Sequence, residues 1–123
     1  LKSMIDAGMK PSLQSDAPSG PYGFECLDGA INRYDRVRNI QCNQKQCVSV
    51  LEGIRIATLY GAYGSYEENI KGSIEVGKLA DMIVCDRDLL SMDKFDMYKV
   101  QVDLTMLDGE VVFVRDEAKD SFK

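Results

Sequence analysis

The rhythm of apolar positions changes near residue 70. Before it they recur mostly at intervals of three and four: Leu1, Met4 and Ile5; then Leu27, Ala30, Ile31 and Tyr34; then, less regularly, Val48, Leu51, Ile54, Ile56 and Leu59. That spacing predicts helices over residues 1–8, 25–37 and 47–59. Gly8 suits a helix C-cap, and no N-cap residue precedes Leu1, so the first helix is expected to start in mid-element. Gly29 weakens the second helix by about 1 kcal/mol relative to alanine, and Gly53 interrupts the apolar face of the third. Glycines at 61 and 64 close that helix, and Ser65 with Glu68 has capping-box spacing for one further turn. Between the first two helices, Pro11 forbids helix in an extended piece, and residues 15–23 carry enough proline and glycine to be loop. Residues 39–46 are polar and predict a second loop.

After Gly72 the period shortens. Residues 73–76 and 79–85 read as strands split by Gly77 and Lys78. Leu79 and Met82 to Val84 are expected to fill a small β core, with Asp81 bonding backbone across the sheet. Residues 100–107 and 110–114 flank Asp108-Gly109, a hairpin signal, because the two-residue turn needs positive φ at both positions. The stretch from 89 to 98 reads as irregular, and the charged tail 115–123 as frayed. The class is α+β: helical and loop-rich up to residue 69, β-rich over 70–114.

Composition narrows the function. A net charge of -5 and the lack of clustered Lys and Arg argue against a nucleic-acid surface. The basic run Arg33 to Arg38 reads as a solvated helix face. No apolar run approaches a membrane span, and no signal peptide is expected. Cys26, Cys42, Cys47 and Cys85 lack metal-site spacing and, with no histidine in the chain, lack imidazole partners. A reducing cytoplasm is the expected compartment, with Cys85 a buried thiol and Cys42 and Cys47 able to pair if oxidised.

Four patches carry a resemblance: Ala7-Gly8-Met9-Lys10-Pro11 with Gln14-Ser15-Asp16-Ala17-Pro18, then Arg55 to Tyr63, then Glu67 to Asp81, then Val102 to Val112. The third, with its Gly77-Lys78-Leu79-Ala80-Asp81, is the most specific. Together they resemble the C-terminal portion of the metal-dependent amidohydrolases of the family-3 type. The resemblance implies a C-terminal fragment of a TIM barrel over residues 1–69, with the last barrel strand and helices, followed by part of a small β-sandwich over 70–114 and a charged tail over 115–123. It implies a hydrolase of non-peptide carbon–nitrogen bonds, such as N-acyl or cyclic amides.

The resemblance puts chemistry on Asp16, the aspartate just past the last barrel strand. In the complete enzyme it would contact the metal, zinc by expectation, and shuttle a proton. From local sequence alone, Asp16 reads as an Asx-turn residue ahead of Ala17-Pro18. Tyr22 and Phe24 are candidate substrate-lining residues, with loop packing as the alternative. A chain without histidine is expected to hold no metal and catalyse nothing by itself. The expected partners are the missing N-terminal barrel portion and, for the complete enzyme, a small-molecule amide. The other reading is a non-catalytic structural module, homodimeric through exposed strand edges.

Overall fold

The computed structural model describes residues 1–16 and 23–122. Its helical part comprises α1 (Lys2–Asp6), α2 (Phe24–Asn32), α3 (Val50–Ala57) and α4 (Leu59–Gly64). A two-stranded hairpin, β1 (Tyr34–Asp35) and β2 (Ile40–Gln41), follows α2. The antiparallel sheet is β3 (Met82–Cys85), β4 (Val102–Leu107) and β5 (Glu110–Val114), in that order across the sheet. Three 3-10 helices, Gln44–Gln46, Lys94–Lys99 and Asp116–Phe122, complete the described elements.

The helix expected over 25–37 stops at Asn32. Arg33 turns left-handed, its N–H still bonded to Gly29 O, and the chain reverses into the hairpin. Asp35 makes that reversal, accepting bonds from the N–H groups of Val37 and Arg38 at 3.0 and 2.9 Å. The basic run is therefore a hairpin and not a helix face. The third expected helix starts late, at Val50, because Ser49 and Glu52 form the capping box there. Ser65 ends α4 instead of starting a helix, its Oγ donating to Ala62 O at 3.1 Å. Thr58 (φ -124, ψ -87) breaks the helix one turn earlier than read, and the glycines at 61 and 64 sit inside α4.

Leu27, Ala30 and Ile31 of α2 meet Ile56 of α3, Val48, Met97 and Val100 in the principal core. Gly53 is where α3 crosses α2: a Cβ there would lie 2.8 Å from Leu27 Cδ1. The segment read as irregular supplies Met97, fully buried on a 3-10 helix begun by Asp93, whose side chain accepts from Phe95 N. The tail is not frayed through Phe122: it forms a 3-10 helix on β4 that buries Ala118.

The expected strand over 73–76 does not form. No described strand lies beside it, Ile74 and Val76 are exposed, and the segment turns. Lys78 holds that turn from within, donating to Glu68 O and Ser73 Oγ, both at 2.6 Å, and pairing with Glu75 at 3.2 Å. Asp81 bonds backbone as expected, accepting from Asp108 N at 2.8 Å. Asp108 and Gly109 both have positive φ, 49° and 82°, in the two-residue hairpin loop joining β4 to β5. Leu79, Ile83 and Val84 do not fill a β core: they are 41%, 50% and 40% exposed, because nothing described covers them.

Candidate functional site

An open apolar cleft of about 470 Å³ separates the helical layer from the sheet. Its apolar wall is Leu13, Phe24, Leu27, Ile54, Ile83 and Val102; its polar groups are Gln14, Ser15, Thr58 and the thiols of Cys26 and Cys85. Cys85 at the end of β3, and Leu89, Met92 and Val100 of the segment between β3 and β4, reach the principal core, and the cleft opens beside Cys85 and Leu89. Burial pushes both cleft thiols above the ordinary cysteine range, with neighbouring carboxylates adding to it. Protonated thiols are poor nucleophiles, so cysteine catalysis is not what this cleft is built for.

Asp16 is exposed and left-handed, with φ 54°, a conformation that aspartate tolerates better than most residues. Ser15, its neighbour, lines the cleft, as do Gly23 and Phe24 on the far side of residues 17–22. Phe24 opens α2, is half-buried and packs against the core as well as lining the cleft. The structure thus brings Phe24 to the same cleft as the residue preceding Asp16. Tyr22 and the Ala17-Pro18 turn lie outside the described residues.

A divalent transition metal asks for three or four nitrogen, sulfur or carboxylate ligands. The sequence has no histidine, and no group of three or more Cys, Asp or Glu among the described residues could hold an ion. Asp16 offers one carboxylate. The residues present do not, by themselves, fit a metal centre.

A second, polar cleft of about 360 Å³ contains Thr58, Ser65, Lys71, Gly72 and Asp81. Its charged groups already have partners: Lys71 pairs with Glu67 at 2.6 Å, and Asp81 accepts from the hairpin turn. It serves the fold. Sequence reading missed a buried polar cluster on α2. Asn32 is fully buried, and its Nδ2 donates to Asp28 at 2.8 Å and to Lys94 O at 2.7 Å. Arg36 donates to both Asp28 oxygens at 2.9 and 3.0 Å and to Phe95 O at 2.9 Å, with its guanidinium 3.7 Å from the Tyr98 ring centre. The i, i+4 spacing of Asp28 and Asn32 was visible; their burial depended on the segment that returns 62 residues later. Thr58 and Ile54, also missed as cleft residues, could have been found only from the way α3 faces the sheet.

Comparison with known proteins adds a family to this geometry. A profile of the amidohydrolase family matches residues 1–113. An N-substituted formamide deformylase from Arthrobacter pascens is 33% identical over 116 residues, which is 94% of this chain and 21% of that protein. A 5-methylthioadenosine/S-adenosylhomocysteine deaminase from Caldanaerobacter subterraneus is 25% identical over 128 residues, covering 97% of this chain and 29% of that one. The crystal structure of an amidohydrolase from Thermotoga maritima superposes with a TM-score of 0.61 at 27% identity, over 92% of this chain and 25% of that chain. The chain thus spans about a fifth to under a third of the length of these relatives.

Proposed function

Because the chain belongs to the amidohydrolase family, we propose that it acts as the C-terminal portion of a hydrolase of non-peptide carbon–nitrogen bonds, supplying Asp16 as a proton-transfer group. The observation that carries this reading is the family match, which runs through the Asp16 segment and the sheet alike. The names of the relatives, a formamide deformylase and a deaminase, support the bond type. Residues 1–69 would then be the last strand and helices of a TIM barrel, and 70–114 part of a β-sandwich. A divalent metal, zinc in this reading, would sit on ligands outside this sequence, with Asp16 adding at most one carboxylate.

The role this chain can fill is acid–base. An exposed carboxylate such as Asp16, which follows a segment with neither helix nor strand, can accept a proton from an attacking water and return it to the departing nitrogen. Phe24, and Tyr22 in the same reading, would border the amide's substituents.

The test is a chimera in which this chain replaces the matching fifth of the Arthrobacter deformylase, assayed on an N-substituted formamide. Asp16→Asn is expected to lower kcat by about 10²–10⁴-fold with the fold retained. Undiminished turnover in that variant would sink the role given to Asp16. The isolated chain with added zinc is expected to show no turnover; if it hydrolyses the amide, the need for outside ligands is wrong.

A second reading, a self-associating structural module, is favoured by one feature: Val111, Val112 and Phe113 of β5 are all about half exposed. Sedimentation at rising concentration separates the two, since a strictly monomeric species excludes it.

A further inference from the structure

Two Asp-Gly dipeptides occur in the chain, Asp28-Gly29 and Asp108-Gly109. Such pairs are chemically labile, because glycine has no side chain to shield its nitrogen from the preceding carboxyl. The glycine nitrogen bonds to the aspartate Cγ and gives up its hydrogen while the carboxyl hydroxyl departs, so water leaves and a five-membered imide forms. Water then reopens the ring. Attack at the side-chain carbonyl restores aspartate. Attack at the main-chain carbonyl leaves isoaspartate, with an extra methylene in the backbone and no change in mass.

The two pairs are held in different ways. Asp28-Gly29 lies inside α2, and both Asp28 oxygens are bound, Oδ1 by Asn32 and Arg36 and Oδ2 by Arg36. Asp108-Gly109 is exposed in the turn between β4 and β5, where a two-residue loop demands positive φ and so selects this pair. Its restraint comes through its peptide groups. Asp108 N–H donates to Asp81 Oδ1 at 2.8 Å, and Gly109 N–H donates to Ala80 O at 3.3 Å. The Gly109 nitrogen is the one that would attack. Closing the ring turns the Asp108–Gly109 peptide plane about the Asp108 Cα–C bond, which carries that N–H off Ala80 O.

We propose that Asp108-Gly109 is a latent isomerisation site, kept as aspartate by the Ala80 carbonyl and the Asp81 carboxylate. The last two residues of the Gly77 to Asp81 motif thereby guard the covalent structure of the hairpin as well as its position. Reaction requires local opening of the turn, and its rate follows the population of that open form. Isoaspartate at position 108 would lengthen the loop backbone by one carbon and end its two-residue geometry.

The test holds the folded chain near neutral pH, well below its melting temperature, and counts isoaspartate at positions 108 and 28 over weeks by electron-transfer fragmentation of its peptides. A synthetic peptide of residues 100–115 is the unrestrained reference. Asp108 should convert about tenfold or more slowly in the folded chain than in the peptide. Asp81→Ala should return it most of the way to the peptide rate. Asp81→Asn, which keeps an oxygen to accept from Asp108 N–H, should stay near wild type. Asp28 should remain unconverted in all three chains, since its pair reacts only when α2 unfolds. Equal rates in wild type and peptide would overturn the proposal, as would an Asp81→Ala chain no faster than wild type. Conversion of Asp28 in step with Asp108 in Asp81→Ala would trace the change to global unfolding and defeat the local clamp. Asp81→Asn as fast as Asp81→Ala would defeat the hydrogen bond as the guard.

Discussion

Two side chains of the α2 cluster are tied to backbone far along the chain, Asn32 to Lys94 O and Arg36 to Phe95 O. Arg36 closes the cluster on α2, where the Asp28 side chain is only 8% exposed. Arg36→Leu would strip Asp28 of its cation and leave it to Asn32, a loss of about 1–3 kcal/mol for a buried acceptor left short of donors, read by urea denaturation. Glu52 is set by charge. Lys2 beside it at 2.6 Å, and the Ser49 N–H it accepts, hold its carboxyl down from 4.5 to about 2. A folded pKa below the unfolded one stabilises above the unfolded value and is lost as pH falls through the folded value. Glu52→Gln keeps the capping box, since glutamine also serves at that position. Its melting temperature should therefore lie below wild type at pH 7, and the gap should close between pH 4.5 and about 2.

At the scale of elements, turns are as specific as helices. Gly72 has φ +89°, and a Cβ there would sit 2.7 Å from Ala62 Cβ and 3.1 Å from Leu59 Cα. The segment carrying Gly72 and α4 can approach only because that atom is missing. Gly72→Ala should cost at least about 1–3 kcal/mol from the left-handed backbone alone, with the collision adding to it, measured as a drop in the urea midpoint. The same element shows how far sequence reached. Gly77, Lys78 and Asp81 were recognisable as a turn and a backbone clamp. The strand expected over 73–76 was not there, because alternation supplies a face to bury but no neighbour to pair with.

At the scale of the molecule, a helical core closed by the 3-10 helix Lys94–Lys99 touches the three-stranded sheet through Cys85, and the two part around an apolar hollow. An exposed apolar cleft should bind the dye ANS with a rise in fluorescence while the chain is folded. Ala57→Trp, at the cleft wall, should reduce that rise; an unchanged signal would place the dye elsewhere. The sequence by itself determined the buried face of α2 (Leu27, Ala30 and Ile31), the Asp108-Gly109 hairpin, the family resemblance and the lack of histidine, since periodicity, turn chemistry and composition act locally. It marked Asp16 and Phe24 as candidates without showing that Ser15 and Phe24 border one cleft. Only the tertiary structure decided that Met97 and Ala118 are buried, that Arg36 reaches Asp28, and that Ile83 and Val84 stay half exposed. Burial depends on which surfaces meet, and those meetings join residues tens of positions apart whose own neighbours carry no record of them.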